Sequence, residues 1–353
     1  MIKPSRKVSS LNKYKPPLTG RQTFKGIHLD FSERTIPPGL KVKQGMADLK
    51  NIEPKLYPEY DGTLENKIAD YLKVSPENVV VTNGSDIALK TIFEGYVDPG
   101  DKVLISVPTF TMFYQYAQLA EAELIELNFS GDRLAFPADE YETELSGGVK
   151  LALICNPNNP TGNLVPVGQI EDWAGKYDET VFLIDEAYGE FSGVSCVDVI
   201  KKYPNIIVTR TFSKAFGIAA ARLGYAVCDK KVAEVLKLIK SPYDVSMYAY
   251  NLGIAAMDDL EEVRAYASHV MGVAKPLLEA FLRENKIEFY ESGANFMLVK
   301  PDNPKKLTAY MEQNGILIRP QSQAGIEDTF RVSIGSKAQV EKFINIYEEY
   351  LKR

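Results

Sequence analysis

Lys214 lies in surroundings that are unusual for a lysine. The stretch RTFSKAFGIAAARLG, residues 210–224, follows a β-branched run and places hydroxyl and apolar residues next to this amine. Apolar walls disfavour the ammonium form, and the neutral amine is the form that acts as a nucleophile. The stretch indicates a nucleophilic lysine, and a solvated loop lysine is the alternative that it leaves open.

Asp185 is the second candidate because it ends another apolar run, VFLID at 181–185. A buried carboxylate is costly unless it meets a cation. A protonated pyridine nitrogen supplies such a cation. Pyridoxal phosphate is bound through this pair, an aspartate facing the ring nitrogen and a lysine forming a Schiff base. Lys214 and Asp185 together therefore predict a pyridoxal-phosphate site, whereas Asp185 alone could be an N-cap.

The other candidates divide by the part of this cofactor that they suit. Tyr188 and Asn159 can donate to the phenolic oxygen of the ring, and Phe110 can stack on its face. Phosphate ligands can come from Thr211, Ser213, Arg222 and the Gly84-Ser85 turn before a helix. Each of these residues also has an ordinary alternative, such as a turn former, an N-cap, a core ring or a surface charge.

Short apolar runs alternate with helical patterns through the middle of the chain. They predict strands at 79–82, 103–107, 123–127, 151–155, 181–185 and 205–209. Helical spacing is found at 64–72 and 87–92, and a further helix is predicted at about 113–121. This rhythm predicts an α/β fold with a mostly parallel sheet, in which the carboxyl ends of the strands face one crevice. The link from Lys214 to the run at 223–227 is too short for a crossover, so an antiparallel strand is expected there.

The two ends of the chain have a different pattern. A short strand followed by a turn is expected in 29–39, helical segments follow residue 240, and a further helix is predicted near 305–313. Pro242 and Pro276 are expected to break the helices. We predict a large cofactor-binding domain at 45–245. A smaller α+β domain is predicted from 246–353, with an amino-terminal arm at 1–44.

Composition restricts the partners. The net charge of −6 and the pI near 5.3 argue against nucleic acid. No apolar run is long enough to span a bilayer, and the basic amino terminus lacks the apolar stretch of a signal peptide. Three scattered cysteines and two histidines suit neither a disulfide framework nor a zinc site. We expect a cytoplasmic protein that binds no metal and no membrane.

Motifs along nearly the whole chain carry a family resemblance. In chain order they are YPEYDG, TNGSD, PTFTMF, NPNNPTG, DEAYGEF, RTFSKAFGIAAARLGY, SPYDVS, ANFMLV, GILIRP and FRVSIGS. The sequence resembles the fold type I pyridoxal-phosphate enzymes, and within them the histidinol-phosphate aminotransferase branch of the class II aminotransferases. The resemblance implies a mostly parallel seven-stranded sheet, a homodimer with shared active sites and a ping-pong transamination in histidine biosynthesis.

The resemblance also implies a role for each site residue. Lys214 would hold the cofactor as an internal aldimine and carry the proton from the substrate, and Asp185 would keep the ring nitrogen protonated. Further cofactor contacts would come from Gly84, Ser85, Asp86, Phe110, Asn159, Tyr188, Thr211, Ser213, Arg222 and, from a second subunit, Tyr57. Contacts to the amino donor and the 2-oxo acid acceptor would come from Tyr14, Glu33, Arg34, Arg319 and Arg331.

One segment departs from the family. Its members usually carry an Asn-Glu-Asn-Pro-type sequence where this chain reads LDFSERTIPPG, which keeps Glu33 and replaces the next two residues by Arg34 and Thr35. Because the segment borders the substrate pocket, Arg34 indicates either a more acidic substrate or a side chain that points to solvent. An aromatic or other amino-acid aminotransferase and a threonine-phosphate-type decarboxylase of the same fold are the alternatives.

Overall fold

The computed structural model describes residues 2–3, 5–9, 11, 20–131 and 133–353. The strands are β1 (Ile27–His28), β2 (Val79–Thr82), β3 (Lys102–Val107), β4 (Glu123–Asn128), β5 (Leu151–Cys155), β6 (Val181–Asp185), β7 (Ile206–Thr211), β8 (Gly224–Cys228), β9 (Glu288–Phe289), β10 (Phe296–Lys300), β11 (Ile316–Leu317), β12 (Arg319–Pro320) and β13 (Phe330–Ser333). The helices are α1 (Arg6–Ser9), α2 (Leu40–Asp48), α3 (Thr63–Leu72), α4 (Ser85–Tyr96), α5 (Met112–Leu119), α6 (Ala138–Ser146), α7 (Val167–Lys176), α8 (Gly189–Ser192), α9 (Lys230–Ile239), α10 (Met247–Met257), α11 (Leu260–His269), α12 (Lys275–Glu284), α13 (Pro304–Gln313) and α14 (Lys337–Leu351).

Seven strands form one sheet in the order β2-β8-β7-β6-β5-β3-β4. The pairs from β7 to β4 are parallel, and β8 is antiparallel to both β7 and β2. The mostly parallel seven-stranded sheet and the antiparallel strand near residue 223 are thereby confirmed. The sheet lies within the predicted domain at 45–245, and the domain division itself remains a prediction.

Both faces of the sheet are buried along its central strands. Along β5, Ala152 and Ile154 pack into one core, whereas Leu151 and Leu153 pack into the second core together with side chains of α4, α5 and α9. Strands covered on both faces are apolar along their whole length, which explains why the runs were readable in the sequence.

The register of the central strands brings their carboxyl ends together. Cys155 of β5 lies beside Asp185 of β6, and Asp185 lies beside Thr209 of β7. The loops that follow these three strands therefore open at one edge of the sheet, as the sequence predicted.

A smaller antiparallel sheet follows in the order β12-β13-β10-β9. In it, Arg319 of β12 is the register partner of Arg331 of β13. Strand β1 pairs in parallel with β11, which ties the amino-terminal segment to this part of the chain. The smaller sheet thus carries two predicted substrate residues on neighbouring strands.

Two local predictions were wrong. No strand occurs within 29–39: β1 ends at His28, Ser32 takes a left-handed φ of 52°, and the prolines at 37 and 38 cannot donate to a ladder. Pro276 does not break the helical run, because the backbone changes to a π-helical turn just before it and Pro276 lies in the first turn of α12. A π-helical turn, Val270–Ala274, joins α11 to α12.

Two other helical predictions agree in outline. Pro242 does separate α9 from α10, and the helix expected at about 113–121 spans Met112–Leu119. Within the described ranges, no helix is both long and apolar enough to cross a membrane.

Candidate active site

One cavity lies where β5, β6 and β7 end. It has a volume of about 390 Å³ and is lined by the strand-end loops, the start of α4, the segment near residue 31 and residues of the smaller sheet. The predicted site residues that line it are Glu33, Ser85, Asp86, Phe110, Asn159, Asp185, Tyr188, Thr211, Ser213, Lys214, Arg222, Arg319 and Arg331. The structure therefore brings together residues that are nearly 300 positions apart in the sequence, from Glu33 to Arg331.

Lys214 is half-buried, and its Nζ donates a hydrogen bond of 2.8 Å to the carbonyl oxygen of Phe31. The amine lies 5.3 Å from the centroid of the Tyr188 ring. Burial, aided by the charge of Arg331, lowers the pKa of Lys214 to about 7. A large fraction of this amine is consequently neutral at physiological pH, as a nucleophile or proton carrier requires.

Asp185 is buried at the end of β6. Its Oδ1 accepts a hydrogen bond of 3.1 Å from the hydroxyl of Thr209, and burial raises the pKa of Asp185 to about 7. A cation placed against this carboxyl would favour its ionised form. The carboxyl is therefore suited to hold a positively charged group in the cavity.

Tyr188 and Phe110 supply the aromatic surfaces of the cavity. Tyr188 packs edge-on against Phe296, with ring centroids 4.9 Å apart, and burial raises the pKa of its hydroxyl. Phe110 packs edge-on against Phe113 at 5.6 Å, which leaves it half-buried at the cavity wall. Because burial raises its pKa, the Tyr188 hydroxyl stays protonated at neutral pH and can donate a hydrogen bond.

The start of α4 and the loop after β7 form a polar cradle. Thr211 Oγ1 lies 2.9 Å from Ser213 Oγ, and Arg222 Nη2 donates to Asp86 Oδ2 at 3.2 Å. Free backbone N–H groups at the start of a 12-residue helix attract anions, and Ser85 is the first residue of α4. This chemistry suits a phosphate group.

Glycines shape this cradle. Gly84 has a left-handed φ of 79°, and a Cβ there would lie 2.9 Å from Arg222 Nη2. A Cβ at Gly224 would lie 2.3 Å from the backbone nitrogen of Ser85. Gly84 does not itself line the cavity, and Gly224 was not predicted as a site residue, although it ends the RTFSKAFGIAAARLG motif.

Arg331 and Arg319, which lie on neighbouring strands of the smaller sheet, also line the cavity. Arg331 Nη2 donates to the carbonyl oxygen of Asp30 at 2.9 Å, and Nη1 donates to Asn159 Oδ1. The guanidinium of Arg319 lies 4.9 Å from the centroid of the Phe31 ring. Two positive groups thus face the cavity that holds Lys214 and Asp185.

The sequence did not reveal Arg21 or Phe31. Arg21 bonds both oxygens of Asp30, at 2.9 and 3.0 Å, as well as the carboxylate of Glu33, and it lies 4.7 Å from the Phe31 ring centroid. These hydrogen bonds and charges raise the pKa of Arg21 against the opposing effect of burial. The stretch GRQTFKG, which contains Arg21, carries no motif that could have indicated this role.

Asn158 was also missed, although it lies inside the NPNNPTG motif. Its Nδ2 donates to the carbonyl oxygen of Pro108 at 2.9 Å and to Thr161 Oγ1 at 2.8 Å, and its Oδ1 accepts from Thr109 Oγ1 at 2.8 Å. It therefore fixes the loop of Asn159 against the loop of Phe110.

The structure contradicts both expected positions of the Arg34 side chain. Its side chain is 1% exposed and does not line the cavity, because it pairs with Glu262 and donates to the carbonyl oxygen of Ala215 at 3.1 Å. It neither faces a substrate nor points to solvent.

Tyr57 lies outside the cavity of its own chain. It is 79% exposed, and its ring centroid is 5.0 Å from that of Tyr243. Its contact with a second subunit stays a prediction. Tyr14 lies outside the described residues. Among the described residues, no group of three histidine, cysteine, aspartate or glutamate side chains is arranged to hold a metal ion.

The fold and this cavity define a fold type I enzyme site. The chain belongs to the class I and II aminotransferases, a pyridoxal-phosphate-dependent family whose model matches residues 29–346. The predicted family, fold class, cofactor and enzyme class are thereby confirmed.

Individual relatives agree with this family. The chain is 31% identical over 340 residues to the histidinol-phosphate aminotransferase of Ruminiclostridium cellulolyticum, covering 94% of each chain. It is 32% identical over 335 residues to a dihydroxyacetone phosphate transaminase of Campylobacter jejuni, covering 93% of this chain and 90% of that protein. Its fold matches histidinol-phosphate aminotransferase from Sinorhizobium meliloti in complex with pyridoxal-5'-phosphate, with a TM-score of 0.84, 22% identity and coverage of 97% and 95%.

Proposed function

We propose that this aminotransferase transfers the amino group of histidinol phosphate to 2-oxoglutarate. The observation that carries the proposal is the placement of Arg319 and Arg331 in the cavity that also holds Lys214 and Asp185. The names of the relatives support it, since the histidinol-phosphate aminotransferase of Ruminiclostridium cellulolyticum aligns with nearly the whole chain.

The residues present fit pyridoxal phosphate. The buried carboxyl of Asp185 suits the ring nitrogen, and the cradle of Ser85, Thr211, Ser213 and Arg222 suits the phosphate. When bound, the cofactor supplies an aldehyde for a lysine amine and a protonated ring that withdraws electrons from the substrate Cα.

The side chains of the chain then divide the work. Lys214 would hold the cofactor through its amine. Once the amino donor has displaced that amine, Lys214 would take the proton from the substrate Cα and return it, and burial, which lowers the pKa of Lys214 to about 7, favours the neutral form that this role requires. Asp185 keeps the ring nitrogen protonated. Tyr188 and Asn159 donate to the phenolic oxygen, and Phe110 supports the ring face. Glu33 lines the cavity and accepts a hydrogen bond from Arg21.

The two arginines explain how one pocket accepts both substrates. A guanidinium binds phosphate and carboxylate alike, through two parallel hydrogen bonds. Histidinol phosphate has a phosphate but no α-carboxylate, and glutamate has two carboxylates. The first substrate would leave its amino group on the cofactor and depart before the second binds, which gives ping-pong kinetics.

A half-reaction screen tests the substrate. Histidinol phosphate and glutamate are each added to the cofactor-loaded enzyme, and each should abolish the visible absorbance without release of CO₂. Phenylalanine, tyrosine and phosphothreonine serve as competing donors. Response to an aromatic amino acid but not to histidinol phosphate would contradict the proposal, as would CO₂ release from phosphothreonine.

A second candidate substrate is dihydroxyacetone phosphate, because the transaminase of Campylobacter jejuni is 32% identical to this chain. This compound also carries a phosphate ester, so the same arginines could bind it. In the screen it is offered as an acceptor to enzyme first converted with glutamate. Faster recovery of the visible absorbance than with the ketone of histidinol phosphate would favour this candidate.

We also propose a homodimer in the cytoplasm. The support for the dimer is the exposed pair of Tyr57 and Tyr243, which gives Tyr57 a surface from which to reach a second subunit.

A further inference from the structure

Arg34 lies in LDFSERTIPPG, the segment that departs from the family pattern, and the proposed function gives it no role. Its guanidinium pairs with both oxygens of Glu262, lies 4.3 Å from the centroid of the Tyr266 ring and donates to the carbonyl oxygen of Ala215 at 3.1 Å. Glu262 and Tyr266 belong to α11, whereas Ala215 directly follows Lys214. Arg34 therefore joins three separate parts of the fold.

The turn after Lys214 is shaped to admit this side chain. Gly217 donates its N–H to the carbonyl oxygen of Lys214 at 3.1 Å, and closes the turn with a left-handed φ of 76°. A Cβ at Gly217 would come within 2.5 Å of Arg34 Cδ. The Arg34 side chain thus lies flat against the turn that begins at Lys214.

The segment before Arg34 contacts the same lysine from the other side. The carbonyl oxygen of Phe31 accepts the hydrogen bond from Lys214 Nζ, and both Phe31 and Glu33 line the cavity. Ser32 is held by Ser333, whose Oγ accepts the Ser32 N–H at 2.8 Å. The segment at 31–34 therefore contacts Lys214 in two ways. The carbonyl oxygen of Phe31 accepts a hydrogen bond from its amine, and Arg34 donates one to the backbone of the next residue, Ala215.

We propose that Arg34 is a positioning residue for Lys214, which fixes the cavity wall at 31–33 against the turn at 214–217. A guanidinium suits this place because one planar group bonds a carboxylate and a carbonyl oxygen together. The proposal rests on the proposed function of Lys214. It explains the presence of Arg34 by a contact that supports this lysine, not by a contact with a substrate.

The test compares wild type with Arg34→Met and Glu262→Gln, using protein freed of cofactor. Glu262 is 33% exposed, so it can be hydrated when Arg34 is absent, and the fold is expected to survive. Hydrogen exchange should be about tenfold faster or more at the amides of Gly217 and Ile218 in Arg34→Met, with a smaller increase in Glu262→Gln. This readout needs no cofactor.

The second readout is the pH profile of the rate at which the protein captures pyridoxal phosphate, followed by visible absorbance. Only the neutral amine reacts, so the profile reports the state of Lys214. A loosened wall admits water to Nζ and relieves its burial, which moves the midpoint upward by about half a pH unit or more. The charged groups near Nζ, namely Glu33, Asp86, Asp185 and Arg331, are unchanged in both variants.

Lys275→Met is the matched control, since Lys275 forms a largely buried ion pair with Glu279 and does not line the cavity. It should leave both readouts at their wild-type values. Unchanged exchange and an unchanged midpoint in Arg34→Met and Glu262→Gln would overturn the role of Arg34. A wild type that never captures the cofactor would instead overturn the proposed function, and the exchange measurement would still decide whether Arg34 holds the turn.

Discussion

At the scale of single residues, folding shifts the pKa values of two groups that line the cavity. Burial lowers the pKa of Lys214 and raises the pKa of Asp185, each to about 7. Both changes cost the cofactor-free protein stability, because a charged group that has lost water is unfavourable. A cationic ring beside Asp185 and a covalent partner for Lys214 would remove both costs.

Lys214→Met should therefore stabilise the cofactor-free protein, most strongly below pH 7. The folded pKa of the amine is about 7 and its ordinary value is 10.5, so between these values the unfolded state binds more protons. Wild-type stability then rises with pH in this window. The advantage of the variant should shrink by about 2 kcal/mol between pH 7 and pH 9, measured by urea unfolding.

The control for this comparison is Lys90→Met, at a half-exposed lysine on α4. It should show no such pH dependence. An advantage of Lys214→Met that is equal at both pH values would mean that the amine is not desolvated in the folded protein.

The sequence predicted the site residues whose neighbours along the chain are unusual for their residue type. Lys214, Asp185 and Tyr188 stand at strand ends within specific motifs, so their place could be inferred. Arg34 could not be placed, because its burial depends on Glu262, which lies 228 positions further along. Arg21 and Phe31 likewise acquire their roles only through contacts formed in the folded chain.

At the scale of elements, β6 and β7 are joined behind the cavity by buried charges. Arg210 donates to Glu186 at 2.8 Å and to Glu190 at 3.2 Å, and all three side chains are almost fully buried. Because side chains alternate along a strand, Glu186 and Arg210 lie on the face opposite to Asp185 and Thr209. The ion pair thus adds a side-chain link to the backbone hydrogen bonds that place Asp185 beside Thr209.

Arg210→Met should destabilise the protein by about 3–5 kcal/mol, because it leaves the buried carboxylates of Glu186 and Glu190 without their cation. Urea unfolding measures the change. Lys230→Met is the control, because it removes the cation of an exposed ion pair, the one with Glu77. It should leave the urea midpoint unchanged. Equal midpoints for Arg210→Met and wild type would show that the ion pair does not hold these strands together.

Strands and helices were predictable where their burial leaves a pattern of apolar residues in the sequence. The central strands are covered on both faces and appear as continuous apolar runs, so their positions and the one antiparallel strand were found. The segment at 29–39 has no such pattern, since it is held by single contacts such as that between Ser32 and Ser333. Pro276 misled the prediction because its effect depends on where a helix begins.

At the scale of the whole molecule, the proposed dimer makes the cavity a shared site. Neither Tyr57→Ala nor Lys214→Ala should then be fully active alone, whereas mixed dimers of the two should contain one intact site. Activity that appears on mixing, in proportion to subunit exchange, is the expected result. Absence of any gain, with exchange confirmed by mass, would show that Tyr57 serves only its own chain.

The central claim is that Lys214 is the covalent attachment point of pyridoxal phosphate. The most direct measurement is reduction of the cofactor-loaded protein with borohydride, followed by proteolysis and mass spectrometry of the peptides. We predict that the cofactor is found on the peptide that contains Lys214, and that Lys214→Ala carries none. Cofactor on a different lysine in wild type, or no covalent cofactor at all, would contradict the account.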